Sequence, residues 1–366
     1  MEAGWREAVD GVMGRTPPAV DGPWEELRLV SAAGRDARPL LAPEDVDLRA
    51  PLGPGEGART VPAPVVLCDS SHGQLSPQAR LAMLQVAART GTALRLADPG
   101  PDLVDLAREL DVPLWVVLGP RRPASTVEAA RSAAVVELQL SAISPAGTVA
   151  RSVDALDGKG SLAGAVAAVR ALAPAAQAWV GVGPGASQEL LRAAALSGAS
   201  GVLIHGRTRA SPLRRWAAGP DAPAALSAAR RAVARTRPPE GSVPPQLAVA
   251  GGLKDGLEVA KALALGARLV VMATAPRIAL GCELCGGCGP GQCASPGADG
   301  WRGQAERLSA HLARVRAQAA SALAQMGCAR AVEARPSMLE ATTYDAAAAT
   351  GVALAGFGEP LPMWLH

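Results

Sequence analysis

Eight short runs of β-branched and other apolar residues alternate with Ala/Leu-rich amphipathic segments, and Gly, Pro or Asp punctuates each pair. Strands that are apolar almost throughout are parallel and buried on both faces, which predicts an α/β fold. Eight is the number at which such units close into a (β/α)8 TIM barrel, and 366 residues accommodate one barrel with extensions at both ends. A doubly wound open sheet is the alternative reading of the same alternation. The predicted organisation is an N-terminal extension wrapping the barrel (1–63), the barrel (64–280), a cysteine loop (281–300), and a C-terminal helix and tail packed on the barrel (301–366).

The segment before Pro64 is rich in Pro and Gly, as in Ala50-Pro-Leu-Gly-Pro-Gly-Glu-Gly57, and has no period. Strands are predicted over 65–69, 94–97, 114–118, 135–140, 178–182, 202–205, 247–250 and 269–273. Between them, helices are predicted over 77–89, 102–109, 162–172, 188–196, 223–235 and 257–265, several opening on a Ser, Asp or Pro suited to a helix start. A longer helix over 304–326 carries Leu308, Leu312, Val315, Ala319, Leu323 and Met326 on one stripe, which packs on the barrel. The tail over 340–366 holds the only Tyr and Phe and shows no periodicity.

Composition narrows the function classes. The formal charge is +3 and the Arg residues are scattered, apart from short clusters such as Arg214-Arg215 and Arg230-Arg231, which argues against nucleic-acid binding. No apolar run reaches the length of a membrane span, and no apolar signal stretch lies within 1–49, so a cytoplasmic location is expected. Seven Trp residues stand out; Trp5, Trp24 and Trp364 near the termini offer a partner surface, although core packing is the commoner fate of Trp.

Four of the six cysteines, Cys282, Cys285, Cys288 and Cys293, fall in one glycine-rich run. Thiolates crowded this closely repel and invite oxidation unless a metal or cluster holds them. A structural zinc site uses paired Cys-x2-Cys hooks separated by a longer insert, and disulfides need an oxidising compartment. An iron–sulfur cluster takes its thiolates from one short loop, as Cys282, Cys288 and Cys293 allow. Cys285 offers a fourth ligand, which would make the cluster [4Fe-4S].

In a TIM barrel the functional groups sit after the C-terminal ends of the strands, and phosphate is often gripped after strands seven and eight. Those points are Ala250-Gly251-Gly252 and Met272-Ala273-Thr274, where exposed N–H groups and a Thr hydroxyl suit an anion, although a Gly pair serves an ordinary tight turn as readily. Gly181-Val-Gly183-Pro-Gly185-Ala186 superficially matches a dinucleotide fingerprint, with a plain β–α turn as the simpler reading. His72 and His205 fall just past strand ends, where a catalytic or binding His is expected, with ordinary loop hydrogen bonding as the equally simple reading. Asp69-Ser70-Ser71 either cradles a ligand or caps a turn, Cys68 reads as a small core residue, and Cys328 has no evident partner.

Four blocks carry a resemblance to the FMN-binding, glutamate synthase-type domain in its stand-alone form. Ser71-His-Gly73-Gln-Leu-Ser76 resembles the family's block after the first strand, so Ser71 and Gly73 are implied cofactor contacts. Ala250-Gly-Gly-Leu-Lys-Asp-Gly256 with the helix to Ala267 resembles the strand-seven phosphate loop, implying Gly251 and Gly252. Ala273-Thr-Ala-Pro276 followed by Ala279-Leu-Gly-Cys282 resembles the strand-eight block, implying Ala273 and Thr274. Cys282-x5-Cys288-x4-Cys293 has the family's spacing for a [3Fe-4S] cluster. The resemblance implies an oxidoreductase that binds FMN and reduces a 2-imino acid made from 2-oxoglutarate and ammonia. Its electrons would come from ferredoxin or a pyridine-nucleotide-oxidising subunit, and its ammonia from outside, for example from an amidotransferase.

The sequence departs from the family on the substrate side. Ala97-Asp-Pro-Gly100 replaces Gly-Glu-Gly-Gly, Ser141-Ala-Ile-Ser-Pro-Ala-Gly147 replaces Gln-Gly-Ala-Lys-Pro-Gly, Gln177 or Ala175 stands for the strand-five lysine, and Arg207-Thr-Arg-Ala-Ser-Pro212 replaces a glycine-rich cradle. These departures leave a second reading open, a barrel that keeps its cluster for electron relay, redox sensing or complex assembly without catalysis.

Overall fold

The computed structural model describes residues 23–31, 41–55, 57–69, 75–119, 124–140, 161–183, 186, 188–206, 220–237, 243–282 and 300–360. Eight parallel strands form a closed barrel: β4 (Val65–Cys68), β5 (Ala93–Ala97), β6 (Leu114–Leu118), β7 (Val135–Gln139), β8 (Gln177–Val182), β9 (Gly201–His205), β10 (Gln246–Ala250) and β11 (Leu269–Met272). Val66 pairs with Val271 to join the first strand to the last, and this closure rules out the open sheet. Each strand lies within a residue or so of its predicted bounds, because its buried apolar run ends where the chain must turn.

Side-chain chemistry sets the helix starts. Ser76 accepts from the Ala79 N–H before Pro77–Thr90, Ser161 from Gly164 N–H before Leu162–Leu172, and Asp255 from Glu258 N–H before Gly256–Ala264. Helices at Ala124–Arg131 and Thr274–Ala279 were not anticipated; both are short, with too few turns for an amphipathic period to show.

The core has two parts. One lies between the strands and the surrounding helices; the other fills the barrel itself, with Val66, Cys68, Trp115, Trp179, Leu203, Ala248 and Leu269. Leu52 and Val61 join the inner part from a two-stranded hairpin, β2 (Ala50–Pro51) and β3 (Thr60–Val61). Trp179 Nε1 donates to the Leu52 carbonyl at 2.9 Å, so part of the N-terminal extension plugs the barrel from below.

The long helix runs over Gly300–Gln325, and its stripe of Leu308, Leu312, Val315, Ala319 and Leu323 is buried. It lies against the Gly256–Ala264 and Pro77–Thr90 helices. A Cβ on Gly256 would sit 2.1 Å from the Val315 carbonyl oxygen, so glycine is required at this crossing.

The tail is more ordered than its lack of period suggests. β12 (Leu339–Ala341) pairs antiparallel with β1 (Leu27–Leu29) and parallel with β13 (Ala353–Leu354), around a helix at Tyr344–Thr350 capped by Thr343. These elements are too brief for a pattern, and β1 and β12 lie some three hundred residues apart in sequence. Trp24 is wholly buried beside β1, which excludes it from any partner surface; Trp5 and Trp364 lie outside the described residues.

Candidate active site at the barrel mouth

Toward the C-terminal ends of the strands, the apolar barrel interior gives way to a charged set. Arg95 of β5 donates from Nε and Nη2 to Glu137 Oε2 and Oε1 at 2.7 and 2.8 Å, and from Nη1 to Cys68 Sγ at 3.3 Å. Trp115 Nε1 donates to Glu137 Oε2 at 2.7 Å. His205, the last residue of β9, places Nε2 3.8 Å from Glu137 Oε1. The side chains of Arg95 and Glu137 are 3% and 0% exposed, whereas His205 is 13% exposed and stands at the opening. Room for the carboxylate comes from β8, where a Cβ on Gly181 would lie 2.2 Å from Glu137 Oε1.

Burial alone would disfavour both charges, yet each is retained. Burial opposes ionisation of Glu137, but the charge and hydrogen bonds of Arg95, with a smaller contribution from His205, hold its carboxyl down at about 2. Burial likewise opposes the charge on Arg95, and Glu137 and Cys68 outweigh it, so the guanidinium stays firmly cationic. Neither Arg95 nor Glu137 stood out in the sequence. The available signal was a charge at an inward position of an otherwise apolar strand, Ala-Leu-Arg-Leu-Ala and Val-Val-Glu-Leu-Gln, which a folded protein tolerates only when paired.

Beside this set lie the two predicted phosphate loops. Ala250 pairs with Val271 and with His205, so Gly251-Gly252, Ala273-Thr274 and His205 end three neighbouring strands. Gly251 and Gly252 adopt φ of 129° and 68°, in the left-handed region that favours glycine. The loop is anchored from behind, where Trp24 Nε1 donates to the Gly251 carbonyl at 3.0 Å and Lys261 Nζ donates to the Trp24 carbonyl at 2.9 Å. Among the described residues no acceptor meets the N–H groups of Gly251, Gly252 or Thr274. All of Gly251, Gly252, Ala273 and Thr274 are half-buried at the mouth, a donor set that suits a phosphate.

The remaining candidates divide. Ser71, His72, Gly73, Cys285, Cys288 and Cys293, with 141–147 and 207–212, lie outside the described residues. Cys282 is half-buried just past the Thr274–Ala279 helix, with Arg277 Nη2 4.0 Å from its Sγ. Among the described residues no three metal-ligating side chains stand together, and no described cysteine is in a disulfide. Asp69 bonds Arg80 at 2.8 Å and accepts from Ala97 N–H, tying strand ends together. Cys68 is a core residue as predicted, and Cys328 packs its sulfur 3.5 Å from that of Met338. Gly181 and Gly183 belong to a barrel strand and its end, not to the opening strand of a dinucleotide-binding sheet.

Residues 131–323, just over half of the chain, match the model for the conserved region in glutamate synthase. The chain belongs to this family. Its curated relatives include the archaeal-type glutamate synthase [NADPH] of Thermotoga neapolitana, 49% identical over 47 residues, and that of Dehalococcoides mccartyi, 48% identical over 48 residues. Each match covers 13% of this chain but only 9% and 10% of the relative, so the chain spans a small part of their length. Mandelate oxidase bound to (S)-2-phenylpropionate superposes with a TM-score of 0.55 at 17% identity, over 92% of this chain and 89% of that one. A mandelate oxidase variant with the monooxide FMN adduct gives 0.55 at 17%, over 91% of each chain. An active chimera of (S)-mandelate dehydrogenase gives 0.56 at 19%, over 93% and 91%. At such identity the likeness shows the fold.

Two departures from the family acquire a physical reading. Gln177 opens β8 at the plugged end, its side chain filling the space beside Gly53, and Ala175 precedes it. Neither stands where a strand-five residue would meet a ligand at the mouth. At the family's acidic position after strand two, Asp98 has φ of 61° and accepts from Thr126 Oγ1 at 2.7 Å, which commits its carboxylate to the neighbouring helix.

No described helix is long and apolar enough to cross a membrane.

Proposed function

We propose that the protein is an FMN-dependent oxidoreductase of glutamate synthase type that reduces an imino or keto acid. The observation that carries this reading is the pair of neighbouring loops, Gly251-Gly252 and Ala273-Thr274, whose N–H groups meet no acceptor among the described residues. They would hold the flavin phosphate, with Trp24 and Lys261 fixing the first loop from behind. Bound flavin supplies two-electron hydride chemistry, and these residues supply its position. Cys282, with Cys288 and Cys293, would bind a [3Fe-4S] cluster, or a [4Fe-4S] cluster with Cys285. Electrons would reach it from a ferredoxin or a pyridine-nucleotide-oxidising subunit, and ammonia from an amidotransferase. A neighbour of the same fold that carries an FMN adduct adds weight to the flavin.

The test is anaerobic purification with supplied iron and FMN. Stoichiometric flavin absorbance, with glutamate formed from 2-oxoglutarate and ammonium under a chemical reductant, supports the proposal. Protein that remains colourless refutes it.

A further inference from the structure

We propose that His205, backed by Glu137, is the acid–base residue of the mouth, giving a proton to the heteroatom of the double bond being reduced; this rests on the oxidoreductase reading above. Glu137 does not need His205 for its own hydrogen bonding. Its two oxygens already accept three short bonds, from Arg95 Nε, Arg95 Nη2 and Trp115 Nε1. At 3.8 Å the imidazole lies beyond a direct hydrogen bond, yet close enough for the two charges to attract. The carboxylate itself is sealed from the opening and locked by Arg95, so it is unsuited to exchange protons with a substrate. His205 is the member of the set that is both coupled to the carboxylate and partly open. It also ends the strand adjoining the Gly251-Gly252 loop, which places it beside the expected flavin.

The groups facing it from the packed strands are Glu137 of β7 and, one step further, Arg95 of β5 with Cys68 of β4. Reducing a C=N or C=O bond takes a hydride at carbon and a proton at nitrogen or oxygen. A bound, reduced flavin would supply the hydride. Because Nε2 faces the carboxylate and is buried, the proton leaves the other ring nitrogen, His205 Nδ1; the heteroatom gains that hydrogen as the double bond opens, and the neutral imidazole recovers a proton from water at the mouth. Glu137 stays ionised throughout and stabilises the imidazolium, the arrangement in which a fixed carboxylate holds a histidine for proton transfer.

The experiment compares parent, His205→Asn and His205→Gln, each loaded with FMN and reduced anaerobically, then mixed with 2-oxoglutarate and ammonium. Expected are unchanged flavin content and melting temperature, with flavin reoxidation slowed by about two to four orders of magnitude in both variants. A readout independent of turnover is the NMR titration of the His205 ring, assigned by its loss in His205→Asn. Its titration should shift on Glu137→Gln; if that variant does not fold, Glu137→Asp serves, since the shorter side chain draws the carboxylate back from the ring. Parent-like reoxidation in flavin-loaded variants, or a His205 signal indifferent to the change at Glu137, overturns the assignment. A parent that binds no flavin overturns the oxidoreductase reading instead, and the hydride source with it.

Discussion

Replacing Arg95 with Met leaves Glu137 as an unpaired charge in the centre of the barrel. The carboxylate is 0% exposed and would lose two charge-assisted bonds, at 2.7 and 2.8 Å, keeping only that from Trp115. Removing one partner of a buried ion pair costs about 3–5 kcal/mol, against the fraction of that seen at a surface pair. Urea unfolding at neutral pH should therefore show Arg95→Met destabilised by this amount. Adding Glu137→Gln should restore much of the loss, since the charge that needed a partner is gone, with a coupling energy above about 2 kcal/mol. The pH dependence should change sign. In the parent the carboxyl is held at about 2, below the ordinary 4.5, so its contribution is present above pH 4.5 and is lost as pH falls from there toward 2. Without Arg95, burial is opposed only by His205 and the Trp115 bond, and it lifts the carboxyl above 4.5, so the folded variant keeps a proton that the unfolded chain has released. Its stability is then greatest below about pH 4.5 and falls as pH rises, so its penalty relative to the parent is smallest at the acid end and grows with pH. A variant within about 1 kcal/mol of the parent, or a penalty that does not vary with pH, would refute the account of a buried, mutually dependent pair.

Three further outcomes can be checked by unfolding measurements. Gly206→Ala should be strongly destabilising, by about 3 kcal/mol or more, because the new Cβ would lie 2.2 Å from the Ala222 backbone Cα, which has nowhere to move; a shift below about 1 kcal/mol would show that the two segments can separate. Trp24→Phe should cost about 1 kcal/mol through the lost bond to the Gly251 carbonyl, and Trp24→Ala about 3–5 kcal/mol through the cavity, with FMN affinity falling in both if Trp24 fixes the phosphate loop; unaltered FMN affinity in Trp24→Ala would detach the two. Glu258 is pushed up to about 8 by burial and by Asp255 beside it, only partly opposed by Lys254, so its stabilising effect is complete below about pH 4.5 and disappears as pH rises through 8. Glu258→Gln should flatten that decline in stability between pH 4.5 and 8, and an unchanged slope would place the pH dependence elsewhere.

The sequence by itself determined the barrel. Eight runs such as Leu-Trp-Val-Val-Leu118 and Leu-Val-Val-Met272 can be satisfied only by burial on both faces, and the turns between them carry Gly, Pro and capping residues, so strand number and bounds follow from local chemistry. It also singled out Gly251-Gly252 and Ala273-Thr274, because the loops after the last strands are where this architecture binds anions. What it left unread depends on contacts between residues far apart in the chain. Arg95 and Glu137 look like solitary interruptions of apolar strands until barrel closure brings them within 2.7 Å and sets His205 beside them. Trp24 and the tail strands likewise take their roles from partners more than two hundred residues away, through the Gly251 carbonyl and the β1–β12 pairing. Periodicity reports which face of an element meets the core; only closure of the barrel decides which charges meet each other inside it.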